Sequence, residues 1–497
     1  MNLPLFDLVI FLIYMLAIVG FGISFSFRKR SSTDFTTGGG RLPSWAIGMS
    51  IFATFVSSIS FLALPGNAYL SNWNGFVFSL SIPLAALIAV KYFVPLYRKL
   101  NSESAYFFLE QRFGLWARIY ASICYLLTQL ARMGTILYLL ALPMNALFGW
   151  SIPLIIIVTG ISVIIYSMLG GIEAVIWTDA IQGIVLIAGA LACLLVIFLE
   201  IPGGPSEIFR IAESNDKFSL GSFDLDFTSS TFWMILVYGL FINLQNFGID
   251  QNYVQRYISA KTEKEAIKST WLGSLLYVPV SLIFFFIGTA LFAFYQAQPD
   301  LLPENLSGME NADKVFPYFI VSQLPTGITG LLIASIFAAG MSSVSTSVNS
   351  SATVILSDHF KKYIHQNPSE KTSMRVLWAS SLCMGLASIL VGLAFNGVAS
   401  ALDAWWALAS IFSGGILGLF LLGLIVQKTT SKQAAIAVMA GVLVIIWMSL
   451  STAFFTGKLT PFQNSLHSNM TIVMGTVTIF ILGFVLGNLG KKINSSV

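Results

Sequence analysis

An all-α integral membrane protein of about 13 transmembrane helices is the fold class the sequence predicts, on three observations. Hydrophobic residues make up 56% of the 497 positions and charged residues 10%, well below the roughly 25% charge of a soluble domain. Thirteen stretches come close to the about 20 apolar residues a span requires: 5–27, 44–70, 75–97, 118–148, 152–169, 177–200, 231–255, 268–296, 315–356, 375–397, 401–427, 433–455 and 468–489. The cations between them are one-sided. With the N-terminus outside, the inner loops hold Arg28, Lys29, Arg30, Arg41, Arg98, Lys99, Arg112, Arg118, Arg256, Lys261, Lys264, Lys268, Lys361, Lys362, Lys371, Arg375, Lys428, Lys432, Lys491 and Lys492. The outer loops hold only Arg210, Lys217, Lys314 and Lys458. The positive-inside rule then places the N-terminus outside and the C-terminus in the cytoplasm, as in a multi-pass protein of a bacterial inner membrane.

Taken in order, the first span bears on topology and five others carry chemistry. The first, Leu5 to Phe27, has basic residues after it and none before; a cleaved leader carries them first, so this reads as a retained helix. The second, SWAIGMSIFATFVSSISFLALPGNAYL, contains Ser50, Thr54, Ser57, Ser58 and Ser60, then Pro65-Gly66. The fourth places Arg132 near mid-span, where a charge costs a few kcal/mol on insertion scales. Either a carboxylate or carbonyls pair with it inside the protein, or it receives an anionic ligand, because its planar fork fits both oxygens of a carboxylate. Asp179 opens the sixth span in IWTDAIQGIVL, and an unpaired membrane acid points to function.

The seventh span, ILVYGLFINLQNFGIDQNYVQRYI, carries Asn243, Gln245, Asn246 and Asp250 with Gly239 and Gly248. It lies five spans after the second, and both are polar and helix-weakened. Interrupted segments at matching places in two halves indicate an inverted-repeat transporter, whose unwound carbonyls face protein, water or an ion. The ninth span, 315–356, is too long for one straight crossing, so it overruns the membrane or breaks. It carries Ser342, Ser345, Thr346, Asn349 and Thr353 at helical spacing, with Ser343, Ser347, Ser350 and Ser351 beside them. Sodium, a hard cation, favours such oxygens, and neutral ligands hold it loosely enough to release it. The alternative is close helix packing and bonding back to carbonyls.

Other classes are poorly supported. Cys124, Cys193 and Cys383 lie in apolar runs without disulfide or metal spacing and read as small buried hydrophobes. His359, His365 and His467 lie outside the apolar spans, and no HExxH, Ser/His/Asp or phosphate-loop motif occurs. Enzyme chemistry, ATP drive and nucleic-acid binding are therefore not expected. No obligatory protein partner is evident, and the partners reduce to membrane lipid and a small-molecule solute.

These residues resemble the sodium/solute symporter family over roughly 5 to 490. The likeness rests on DFTTGGGRLPSWAIGMSIFAT, SSISFLALPGNAY, LGGIEAVIWTDAIQG, VQRYISA, GLLIASIFAAGMSSVSTSVNS and DAWWALASIFSGGILGLFLLGL. Within the family it is similar to bacterial sodium-coupled sialic acid transporters. The resemblance implies a LeuT-like five-plus-five inverted repeat with broken first and sixth core helices. Residues 1–43 would be an extra helix and cytoplasmic linker, 44–427 the ten-helix transport core, and 428–497 two extra helices and a tail.

The resemblance also implies a sodium site on Ala53, Val56, Ala339, Ser342 and Ser343, and a second on Asp179, Ser342, Ser345 and Thr346, for one or two coupling Na+ ions. It places a solute carboxylate on Arg132 with Ser57 and Ser60. Phe55 and Ser79 depart from that group, which has Thr and Gln there. Asn243, Gln245 and Gln251 are added as solute-binding candidates for their polarity. The implied function is a sodium-coupled secondary active symporter importing an anionic sugar acid such as sialic acid by alternating access. A neutral sugar or small monocarboxylate is the rival solute; a transporter-fold sensor or passive channel is the rival class.

Overall fold

The computed structural model describes residues 3–27, 31–100, 102–306, 312–396, 409, 412–455 and 457–494. Arg28 to Arg30, counted among the inner cations, and most of the first half of the 401–427 span lie outside the described residues. Among the described residues the backbone is helical between its loops, with one isolated bridge pairing Leu42 and Ala260.

The chain opens with α1 (Leu5–Ser24) and the short α2 (Ser32–Thr37). Next come α3 (Ser44–Phe55) and α4 (Ser58–Leu70), halves of one span bent by 54°. Then follow α5 (Trp73–Leu100), α6 (Phe107–Phe113), α7 (Leu115–Phe148) and α8 (Ile152–Glu200). The short α9 (Pro205–Ser214) lies in the loop before α10 (Phe232–Ile249) and α11 (Gln251–Ser259), which are halves of a second interrupted span. The remainder are α12 (Glu263–Ala297), α13 (Ala312–Ser322), α14 (Ile328–Ile364), α15 (Glu370–Ala394), α16 (Ile416–Ile425), α17 (Ser431–Phe454) and α18 (Met470–Asn494).

Two departures from the hydrophobicity reading have plain causes. The long ninth stretch is cut: α13 stops at Ser322, and α14 restarts at Ile328 and runs on to Ile364, finishing in wider π turns from Ile355. His359 therefore lies on a spanning helix. Conversely, residues 170–176, left between two spans, are helical except at one hinge. A straight helix of 49 residues would measure about 74 Å, more than twice the roughly 30 Å hydrocarbon core. Gly171, at φ 58° and ψ −164°, breaks α8 into two crossings.

Only glycine adopts that backbone region comfortably. A Cβ there would also stand 3.0 Å from the Phe35 Cα. Gly171→Ala is expected to destabilise the protein by at least about 1–3 kcal/mol, read as a lower thermal midpoint in detergent; an unchanged midpoint would contradict the hinge.

The helices sort into two groups. α3 and α4 pack on α12, and α10 packs on α5, forming a bundle. Opposite it, α8 packs on α14, and α7, α14 and α15 pack on one another. Helix α1 lies against α8 and α14, while α17 and α18 pair with each other beside α16. Small residues bring backbones close, as membrane packing requires: a Cβ on Gly288 would lie 2.1 Å from the Pro65 carbonyl oxygen.

Helix α14 is the central one. In its most apolar window 89% of residues are buried, against 28% for α1. Its hydroxyls face protein rather than lipid. Of the cysteines, Cys193 is buried but Cys383 is exposed on the outer surface of α15, so the expectation of three buried thiols holds only in part.

Candidate ion and solute site

The site begins with the break between α3 and α4. Val56 (φ −80°, ψ 114°) and Ser57 (φ −106°, ψ 171°) leave helical geometry, so the last carbonyls of α3 lose their partners four residues on. Two are taken up by side chains from the opposite group. Ser342 Oγ donates to the Ala53 carbonyl at 3.0 Å, and Arg132 Nη2 donates to the Thr54 carbonyl at 3.2 Å.

Around Ala53 the oxygens are dense. Ser342 Oγ also lies 3.1 Å from the Ala339 carbonyl, and Ser343 Oγ lies 3.3 Å from the same carbonyl. Ala53, Val56, Ala339, Ser342 and Ser343 are all buried. Four of the five oxygens expected at the main sodium site are thus linked by hydrogen bonds, and Val56 sits at the unwound end of α3. These are neutral, hard ligands of the kind a releasable sodium ion prefers.

The second group has an unexpected member. Asp179 is buried and paired. Its Oδ2 accepts from Ser50 Oγ at 2.7 Å, from Arg256 Nη2 at 2.7 Å and from Thr346 Oγ1 at 3.3 Å. Arg256 was counted with the inner-loop cations, yet it lies fully inside, on α11. The cause is local. The break at Asp250 re-aims α11, whose residues from Gln251 to Tyr257 are all buried. Asp179 Oδ1 meets no donor among the described residues. Ser345 Oγ donates to the Ser342 carbonyl at 3.1 Å, which links the two groups along one face of α14.

Arg132 is half-buried, and among the described residues no carboxylate lies within ion-pair distance of it. Beside it, Ser57 caps the start of α4, accepting from the Ser60 amide. A guanidinium and the positive end of a helix therefore meet where the chain unwinds, an arrangement suited to an anion. Phe55 packs into an aromatic cluster, 5.6 Å from Phe247 in a stacked pair and 4.4 Å from Tyr277.

The other solute candidates disperse. Ser79 and Ser281 hydroxyls meet at 2.7 Å, and Asn243 Nδ2 donates to Ser81 Oγ at 2.9 Å, both in contacts between helices of the bundle. The Gln251 amide accepts from the Ala105 amide and donates to the Glu103 carbonyl, each at 2.7 Å, so it clamps the loop before α6. Gln245 lines a small cavity of about 20 Å³ with Gln129, Asp250, Tyr106 and Tyr125, room for about one water molecule.

Several polar residues escaped the sequence reading. Gln129 Oε1 accepts from Ser347 Oγ at 2.7 Å, and Ser350 Oγ donates to Asn252 Oδ1. These contacts place two of the hydroxyls left without a role against α7 and α11. The carbonyls freed at the Asp250 break accept from Tyr257 OH (Phe247) and Tyr97 OH (Gly248), each at 2.7 Å. The available signal was the polarity of the whole stretch 245–257. A separate ion-pair group ties α7 and the loop before α6 to the end of α14: Arg118 Nε donates to Asp358 Oδ1 at 2.9 Å, and Ser104 Oγ donates to Asp358 Oδ2 at 2.6 Å.

With this geometry in view, comparison with known proteins is informative. The sodium:solute symporter family profile matches residues 35–441. The chain is 35% identical over 486 residues to the sodium/sialic acid symporter NanT of Aliivibrio fischeri, covering 96% of this chain and 92% of that protein. It is 35% identical over 470 residues to the sodium/sialic acid symporter SiaT of Proteus mirabilis, covering 94% and 93%. Its structure superimposes on the substrate-bound outward-open state of a sodium-coupled sialic acid symporter with a TM-score of 0.90, at 32% identity over 98% of both chains.

Proposed function

The chain belongs to the sodium:solute symporter family, and from that premise we propose that the solute it carries with sodium is a sialic acid. The protein is an integral, multi-pass, sodium-coupled transporter of the inverted-repeat fold. The observation that carries the choice of solute is Arg132. It is a cation in a spanning helix, held on a freed carbonyl at the break and, among the described residues, with no carboxylate within ion-pair distance. Sialic acid supplies a carboxylate for its fork and hydroxyls for Ser57 and Ser60. The likeness to NanT and SiaT supports the same solute.

In this reading sodium binds from outside to Ala53, Val56, Ala339, Ser342 and Ser343. That pins α3 against α14 and fixes the turn that presents Ser57 beside Arg132. A second ion uses Asp179, Ser342, Ser345 and Thr346. Residues 44–427 form the transport core, and 1–43 and 428–497 are additions to it, with the N-terminus outside and the C-terminus in the cytoplasm. Each sodium moving inward gains about 2.3 kcal/mol per 100 mV of membrane potential, besides its concentration gradient. Coupling arises because sodium binds the outward and inward states with different affinity.

Thermal-shift titration of the purified protein tests the solute. Sialic acids should raise the midpoint in sodium and not in potassium, while neutral sugars leave it unmoved; an equal shift by neutral sugars contradicts the assignment. Asp179→Asn is expected to flatten the sodium dependence of uptake toward a single ion, and to lower the thermal midpoint as well, because it leaves Arg256 a buried cation without its carboxylate. Two ions with one monoanion carry net positive charge inward, so wild-type proteoliposomes should pass current on addition of solute and Asp179→Asn should not. An unaltered current in the variant contradicts the second ion.

A further inference from the structure

Arg256 heads the largest fully buried side chains of the protein, and its guanidinium is spent on one spot. Nε donates to Ser50 Oγ at 2.8 Å and Nη1 to the Asn252 carbonyl at 2.6 Å. Nη2 donates to Asp179 Oδ2 at 2.7 Å and to Thr346 Oγ1 at 2.6 Å. One nitrogen thus engages two of the four groups assigned to the second sodium ion, while Asp179 Oδ1 remains without a donor among the described residues.

We propose that Arg256 is a tethered cation that competes with sodium for Asp179 and Thr346, and so sets the affinity of the second sodium position. One buried carboxylate neutralises one cation. A second cation beside it is repelled, and burial leaves that repulsion screened much less than at the surface. Arginine stays charged throughout, so the exchange is cation for cation and involves no proton. Sodium entering at Asp179 Oδ1 draws Asp179 and Thr346 from Nη2 and loosens the hold of Arg256 on α8 and α14. Arg256 is carried by α11, just past the Asp250 break. The arrival of the second ion is thereby felt directly by the interrupted span that borders the solute path. Arg256 acts through Asp179 and is a positioning residue.

The inference rests on Asp179 as a sodium ligand, and its test separates the two ideas. Sodium-dependent uptake is measured in proteoliposomes for wild type, Asp179→Asn, Arg256→Lys, Arg256→Gln and the double Asp179→Asn/Arg256→Gln variant. Removing the competing charge in Arg256→Gln should lower half-saturating sodium by roughly tenfold, the size of one like charge removed from a partly screened site, while two-ion steepness persists. Lysine keeps the charge but cannot reach all four partners at once, so Arg256→Lys should shift in the same direction by less. The double variant, with no buried charge left unpaired, should fold and show the shallow one-ion dependence of Asp179→Asn.

If Arg256→Gln does not accumulate, Arg256→Lys carries the test. Wild-type half-saturation and steepness in every folded Arg256 variant, alongside a flattened Asp179→Asn, overturn the inference and leave the second sodium standing. Unchanged steepness in Asp179→Asn removes the second sodium and the inference together.

Discussion

Ser342→Ala is expected to raise the sodium concentration for half-maximal uptake by roughly tenfold or more, about 1.4 kcal/mol of lost ion binding or beyond. Ser342 is singled out by its position. Its hydroxyl is the bridge between the freed Ala53 carbonyl of α3 and the Ala339 carbonyl of α14, and its own carbonyl receives Ser345. A methyl in its place removes an oxygen ligand and leaves the Ala53 carbonyl without that donor inside a buried seam. Ser343→Ala removes a ligand on one carbonyl only and should shift the same curve less. Uptake against sodium concentration at saturating solute separates these effects, with the thermal midpoint in sodium-free buffer as the folding control. Wild-type sodium dependence in Ser342→Ala would remove α14 from the ion site.

Arg132→Ala should abolish affinity for acidic solutes by at least roughly thirtyfold, taking the low end of about 2–5 kcal/mol for truncating one partner of a buried charged contact. Sodium binding should survive, because Arg132 engages the Thr54 carbonyl while the ion uses Ala53. Arg132→Lys should recover only part of the affinity, since an ammonium lacks the planar fork. Competition by acidic and neutral sugars reads the difference. Normal uptake of the acidic solute by Arg132→Ala would make the residue a structural brace between α7 and α3.

Much of this was legible in the sequence because the bilayer imposes rules that survive without coordinates. Apolar length gave the spans, and polarity marked both interrupted ones; Gly248 lies beside the break at Asp250, whereas Pro65-Gly66 sit inside the intact α4 and the break falls earlier, at Val56–Ser57. The neighbours of the hydroxyl stripe on α14 came from the family resemblance, and Ser342 and Thr346 do contact Ala53 and Asp179. What the sequence did not reveal lies in directions and partners. Arg256 follows a polar run at the inner end of a span, so charge counting placed it in a loop; the kink at Asp250 turns it into the core instead. Gln251 has the polarity of a ligand residue, yet its amide is spent on the backbone of the loop before α6. The 170–176 segment shows no apolar run of its own and reads as a gap, because hydropathy does not register a helix hinged at a single glycine.

The most direct test of the account is accumulation of labelled sialic acid by proteoliposomes holding the purified protein. An inward sodium gradient should drive uptake above equilibrium, a potassium gradient of the same size should not, and collapse of the sodium gradient should release the label. Uptake that proceeds equally in potassium, or sodium-driven uptake of a neutral sugar that sialic acid does not inhibit, would contradict it.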